Sequence, residues 1–201
     1  MLFEMNDLTG LQRYKLLTSS ILPRPIAWIT SLSAAGVLNA APFSCFNLMG
    51  HTPPIIALGL QRRDDGSYKD TCANILATGE MVVNLVAESD AEAMNFTALE
   101  APPEFDEVTA AGLSVTPSLH VAPPRISSAP VSFECRTFQV IHPGSQQTIV
   151  LGEVVAMHVQ EAFILDAAQF RLDTPRMQLI GRMHGPGWYA RCTSLFQIIP
   201  P

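Results

Sequence analysis

Charge is scarce in this 201-residue chain: Asp, Glu, Lys and Arg make up 15% of it, against 48% apolar residues. A surface that spares charge over this length predicts cover by a partner subunit, most commonly in a symmetric homodimer. A large, well-filled core would draw on the same composition. Basic runs are missing as well. Arg62-Arg63 is the longest and the net charge is −6. Nucleic-acid affinity depends on neutralised phosphates, so no nucleic-acid partner is expected. No apolar stretch reaches the length of a bilayer span, which argues against a membrane role. The opening residues, Met1-Leu2-Phe3-Glu4-Met5-Asn6-Asp7, carry acids where a secretion signal carries positive charge. A cytoplasmic location is therefore the expectation.

Metal-binding and nucleotide-binding patterns are absent too. Cys45, Cys72, Cys135 and Cys192 stand far apart with no CxxC pair, which supports neither a zinc site nor a redox dithiol. Small buried thiols in a reducing compartment suit that spacing better. His51, His120, His142, His158 and His184 are equally scattered, without HxH or HExxH, and no metal is expected. There is no GxGxxG after a strand and no Walker pattern, so a Rossmann site and a P-loop are unsupported. Helical stretches of crossover length are lacking, which disfavours a βαβ fold. With no internal repeat and no low-complexity tract, residues 1–201 read as one domain.

What is present is strand signal punctuated by proline. Pro23 and Pro25 introduce a β-rich segment at 26–31, and Pro53-Pro54 introduce another at 55–60. Between them Ala34-Ala35-Gly36 reads as a hairpin turn, with a return strand from Val37 to about Asn47. Residues 70–79 fit a short helix that Asp70 or Thr71 caps and Gly79 ends. A β-branched strand follows at 80–86, then a second short helix at 91–96. Residues 98–129 are proline-rich and irregular, a kind of stretch that is functional or packs on a partner.

Two long strands come next. Val131, Phe133 and Cys135 alternate with polar residues until Phe138 and Val140 switch parity, which predicts a bulge near Thr137. From Ile149 onward, Leu151, Val155, Met157 and Val159 share one face, with Glu153 among them paired or at a barrel mouth. A last strand is expected over 193–199. Six or seven strands with two short helices make a mainly β, antiparallel barrel.

Three segments carry chemistry. The first is residues 39–47. Short side chains from Asn39 to Ala41 admit a flat group to the backbone, Pro42 removes an amide from any ladder, and Ser44 and Asn47 set polar groups beside Phe43 and Phe46. A flat ring with an apolar and a polar end suits that mixture, as does a plain hairpin with a proline bulge. In the second, Lys69, the Thr71 hydroxyl and the first amides of the following helix converge, with Arg62 or Arg63 nearby. A phosphate dianion would be held there, although a capped helix beside a solvated loop uses the same residues. The third is the glycine-rich loop at 181–191. His184 there would contact substrate or move a proton; a lone loop histidine is more commonly a surface or packing residue.

Taken in order, RPIAWITS at 24–31, NAAPFSCFN at 39–47, PP at 53–54, KDTCANI at 69–75, EMVVNLV at 80–86, GEVVAMHV at 152–159 and IGR followed by WYAR resemble the flavin-reductase-like FMN-binding split-barrel family. The likeness is strongest to its flavoredoxin-like branch. The resemblance implies a six-stranded antiparallel Greek-key split β-barrel with a few short helices, dimeric, with one FMN per subunit near the interface. FAD is the alternative flavin. By position, Ala41, Pro42, Phe43, Ser44, Cys45, Phe46 and Asn47 would face the flavin ring. Thr30 and Ser31 would lie by the ribityl chain or phosphate, and Lys69, Thr71 and Asn74, with Arg63, would anchor the phosphate. Tyr189 and Arg191 would act across the interface, and His184 would bind substrate.

The implied activity is NAD(P)H-dependent flavin reduction, with hydride passing from NADH or NADPH to flavin N5. That step requires orientation and no catalytic side chain. The reduced flavin would serve a partner oxygenase or a bound acceptor. The alternative is an electron carrier that passes electrons to an electron-transfer protein without its own nicotinamide site.

Overall fold

The computed structural model describes residues 1–192 and 194–199. Seven strands form one antiparallel sheet: β1 (Ala27–Leu32), β2 (Leu38–Phe43), β3 (Phe46–His51), β4 (Pro54–Gln61), β5 (Glu80–Leu85), β6 (Val131–Gly144) and β7 (Gln147–Val159). Their order is β2-β1-β5-β6-β7-β4-β3. The two edge strands are therefore consecutive in sequence, joined only by Ser44-Cys45. The expected return strand at 37–47 is not continuous. It breaks at these two residues and carries the chain from one end of the sheet to the other, which curls the sheet into a barrel. Gly59 on β4 donates its N–H to the Cys45 carbonyl at 2.7 Å and fastens the crossing. A side chain at Gly59 would begin 3.0 Å from Cys45 Cβ.

The barrel interior is filled by Ala27, Ile29, Ile56, Leu58, Leu60, Met81, Val83, Cys135 and Val150, with Cys72 and Ile75 from a helix laid over one opening. The bulge expected near Thr137 falls at Phe138, which is passed over between the pairs Thr137–Gly152 and Gln139–Leu151. On β7 the inward set differs from the expectation. Thr148, Val150 and Gly152 are buried, and Ile149 and Leu151 are only half-buried on the opposite face. A second bulge between Val154 and Ala156 changes the parity again downstream.

Residues 98–129 pack on their own barrel. Trp28, Val86, Met94, Ile126, Ala129 and Ile180 form a second core on the outer side of the sheet. Asn84, fully buried, holds this cover in place: its carboxamide oxygen accepts from Ile126 N (3.0 Å) and Ser132 Oγ (2.8 Å), and its amide donates to the Trp28 carbonyl (3.0 Å). Glu134 is buried as well, and accepts from the amides of Leu119 (2.8 Å) and His120 (2.6 Å) and pairs with His158 Nε2 (2.6 Å). Burial pushes its pKa up, but these bonds outweigh that and hold the carboxyl below its ordinary value.

Four α-helices stand where two were expected: α1 (Gly10–Ser20), α2 (Asp70–Thr78), α3 (Ala91–Phe96) and α4 (Glu107–Ala110). α2 ends at Gly79, whose φ of 73° is the left-handed geometry that glycine adopts without strain. Its start differs from the expectation: Lys69 holds the cap position and no side chain caps the helix. The final strand is also revised. Ser194 to Ile199 carry no strand, and Thr193 lies outside the described residues. Tyr189–Arg191 instead closes a small sheet with Ile180–Arg182 and Arg24–Pro25. Among the described residues no helix is long and apolar enough to cross a membrane.

Candidate functional site

Among the described residues the outer edge of β2 has no strand partner, and two adjoining cavities run along it. The first, about 180 Å³, is lined by Asn39, Ala41, Pro42, Phe43, Arg63, Lys69, Asp70, Thr71 and Glu107, and by residues 97–101. The second, about 370 Å³, shares Pro42, Phe43 and Ala98 with it and adds Ile26, Ser44, Met94, Asn95, Arg182, Pro186, Gly187 and Tyr189. Together they form a continuous groove from the start of α2 to the loop at 183–188.

The first cavity gathers hydrogen-bond donors and cationic side chains at the start of α2. The first intrahelical bond of α2 runs from Ala73 N to the Lys69 carbonyl. The amides of Asp70, Thr71 and Cys72 precede it and receive no side-chain cap, so the helix presents free donors and the positive end of its dipole. Lys69 is one of only two lysines in the chain, the other being Lys15. Asn39 Nδ2 donates to Thr71 Oγ1 at 3.1 Å, which leaves the Thr71 hydroxyl proton to be donated elsewhere. Arg63 is held by Asp70 at 2.7 Å and by the Tyr68 carbonyl. Arg62 lies over the Tyr68 ring, 4.1 Å from its centroid, and bonds the Tyr68 hydroxyl at 2.8 Å, fixing the loop that carries both arginines.

The strand edge supplies the flat part. Ala40 N points away from the sheet, to Glu107 Oε2 at 3.3 Å. By the two-residue period the Pro42 nitrogen faces the same outer side, so its missing amide costs the ladder nothing. In the second cavity Ser44 Oγ accepts at 3.3 Å from Arg24, which is buried behind the lining, and Arg182 lies 4.9 Å from the centroid of the Tyr189 ring.

Of the residues expected at a site, Ala41, Pro42, Phe43, Arg63, Lys69 and Thr71 meet in the first cavity, and Ser44 and Tyr189 join at the second. The others stand elsewhere. Thr30 is buried and donates to the Pro124 carbonyl, while Ser31 and Asn74 are buried and bonded to each other at 3.1 Å. Cys45 is exposed at the bend. Phe46 and Asn47 line a separate apolar depression with Ile56, Leu85, Phe133 and Met157. Arg191 pairs with Glu88 at 2.7 Å on the surface, and each shifts the other's pKa in the direction that keeps both charged. His184 is exposed in its loop, stacked on Trp188 with centroids 6.5 Å apart, and lines neither cavity.

Two residues at the groove escaped the sequence reading. Asn39 counted there only as a short side chain, yet it orients Thr71. Glu107 sits in the irregular 98–129 stretch, where no periodicity marks it. Asp106, which accepts from Thr109 N at 2.9 Å, is the local signal of a helix cap that would have brought it to notice.

The flavin reductase like domain pattern matches residues 19–169. The chain belongs to that family. It is 38% identical over 200 residues to a protein of Deinococcus radiodurans, covering 98% of this chain and 88% of that one. Among solved structures it is similar to Pseudomonas fluorescens 2-nitrobenzoate 2-nitroreductase NbaA, at 37% identity and a TM-score of 0.90, covering 100% and 96% of the two chains. Nitrilotriacetate monooxygenase component B from Bacillus cereus is 34% identical with a TM-score of 0.92, covering 98% of each chain. The family and these neighbours support a flavin cofactor and an oxidoreductase role for this member.

Proposed function

We propose that this flavin reductase-like chain binds FMN along the groove on the free edge of β2 and works as an NAD(P)H-dependent flavin reductase. The observation that carries the reading is the joining of an uncapped, lysine-bearing helix start to an unpartnered strand edge in one groove. A phosphorylated flat ring has those two ends. When bound, FMN would take up a hydride at N5 from a nicotinamide and pass the electrons on.

The protein's share is binding and orientation. Lys69, the Thr71 hydroxyl and the first amides of α2 hold the phosphate, and Arg63, fixed by Asp70, adds positive potential beside it. Asn39 keeps Thr71 turned as a donor. Pro42 and Phe43 give the ring an apolar floor and exclude water from one of its faces. Ser44, Arg182 and Tyr189 line the adjoining cavity, which has room for a nicotinamide or a small aromatic acceptor. His184, Thr30, Ser31, Asn74 and Arg191 have no part in this reading.

A homodimer also belongs to the proposal. α1 has no buried residue, and it aligns Leu11, Tyr14, Leu17 and Ile21 on one exposed stripe. A second subunit is the cover such a stripe calls for. The name of the Bacillus cereus neighbour supports a partner oxygenase as the consumer of reduced flavin.

Anaerobic titration of the FMN-loaded protein with NADH and NADPH tests the activity. Stoichiometric bleaching of the flavin band by either nucleotide is expected. A flavin that binds but stays oxidised would favour the electron-carrier role, and failure to bind any flavin would overturn the reading.

A further inference from the structure

Among the carboxylates that line the groove and oppose the ligand just assigned to it, Glu107 is the buried one. It is 6% exposed, at the start of α4, and it lines the same cavity as Lys69 and Thr71. Its Oε2 accepts from the Ala40 amide at 3.3 Å, and among the described residues no Lys, Arg or His pairs with it. The charged groups around it are mostly of its own sign: Asp106 on its own helix, Asp70 at the start of α2, and Glu100 on the cavity wall. Against these stand Lys69, and Arg63, which Asp70 already engages. Backbone amides stabilise a carboxylate without neutralising it, so an ionised Glu107 would share a small, half-enclosed cavity with a phosphate dianion. Two anions in such a space do not both stay charged.

Resting on the flavin reading above, we infer that Glu107 is a ligand-facing carboxylic acid that couples phosphate binding to proton uptake. In the free protein burial, followed by Asp70 and Asp106, already raises its pKa against the pull of the amide bonds. The incoming dianion raises it further, and the protonated acid then turns from an opposing charge into a hydrogen-bond donor for a phosphate oxygen. The site thus binds FMN together with a proton. It holds the nucleotide more weakly as pH rises, and it tells FMN from riboflavin by charge coupling as well as by contact.

Calorimetric titration in two buffers of different ionisation enthalpy, repeated across about pH 6.5 to 9, counts the protons directly. The phosphate's own second ionisation lies near pH 6, so its contribution fades over this range. For the unaltered protein, FMN binding should take up as much as one proton within this window. Riboflavin binding should take up none, a contrast that needs no variant. In Glu107→Gln the uptake should vanish, and the FMN Kd should stay flat with pH where that of the parent rises by up to tenfold per unit. Equal proton counts for FMN and riboflavin, or for parent and variant, would overturn the inference while leaving FMN binding intact. No FMN binding by the unaltered protein would overturn the flavin reading, and this one with it.

Discussion

Removing the Lys69 ammonium is the sharpest perturbation of the proposed phosphate site. Lys69 is half-buried at the cap of α2, beside amides that no side chain satisfies, and the nearby Arg63 is engaged by Asp70 at 2.7 Å. No other lysine lines the cavity to compensate. A hydrogen bond to a charged partner is worth about 1.5 to 3 kcal/mol, so Lys69→Ala should weaken FMN about 10- to 100-fold. Riboflavin has the ring and ribityl chain without the phosphate, and its affinity should change less than about twofold. Quenching of flavin fluorescence on titration reads both constants. An unchanged FMN constant, or an equal loss for riboflavin, would refute the argument that phosphate charge is recognised at this helix end.

Other outcomes follow from the scaffold. Asn84→Ala strips four buried bonds, one of them long at 3.4 Å, and should lower stability by about 3 kcal/mol, a Tm drop of roughly 6 to 12 °C by thermal unfolding. Gly79→Ala meets no atom within 4 Å but must adopt φ near 73°, so its cost in a denaturant melt should be about 1 kcal/mol. Glu134, held below its ordinary pKa, adds stability that is full above the unfolded glutamate value and is lost as pH falls through the folded one. Glu134→Gln should therefore be less stable than the parent at neutral pH, and the two should converge in acid; a gap constant with pH would contradict this. Cys45 and Cys192 are exposed, Cys72 is buried, and burial pushes the Cys135 thiol up to about 12. A thiol reagent should label the first two quickly and the other two only on unfolding.

Much of the barrel was legible because proline and β-branched residues mark strand limits by local physics. Pro54, Gly36 and Gly79 fall at the start of β4, the β1–β2 turn and the end of α2. The parity switch after Thr137 announced a bulge that the pairing with β7 contains. What local pattern did not carry was closure. Ser44 and Cys45 look like any strand residues, and only the distant contact with Gly59 turns them into the corner between sheet edges. α1 had a signal in the Thr9–Gln12 capping box, although none of its residues is buried. Lys69 and Thr71 were expected together from spacing, and both line the first cavity. Thr30, Ser31 and Asn74 were assigned to ligand by position in a motif; here Thr30 donates to the Pro124 carbonyl and Asn74 Nδ2 to Ser31 Oγ. Glu107 reaches the groove only through tertiary packing of α4 against β2, which no window of sequence contains.

The account turns on one nucleotide lying along one strand edge, and a crystal structure of the protein soaked with FMN tests it most directly. Phosphate oxygens should lie within hydrogen-bond reach of Lys69 Nζ, Thr71 Oγ1 and the first amides of α2, with the ring against Pro42 and Phe43. A flavin whose phosphate sits away from that helix, or whose ring leaves the edge of β2 bare, would contradict it.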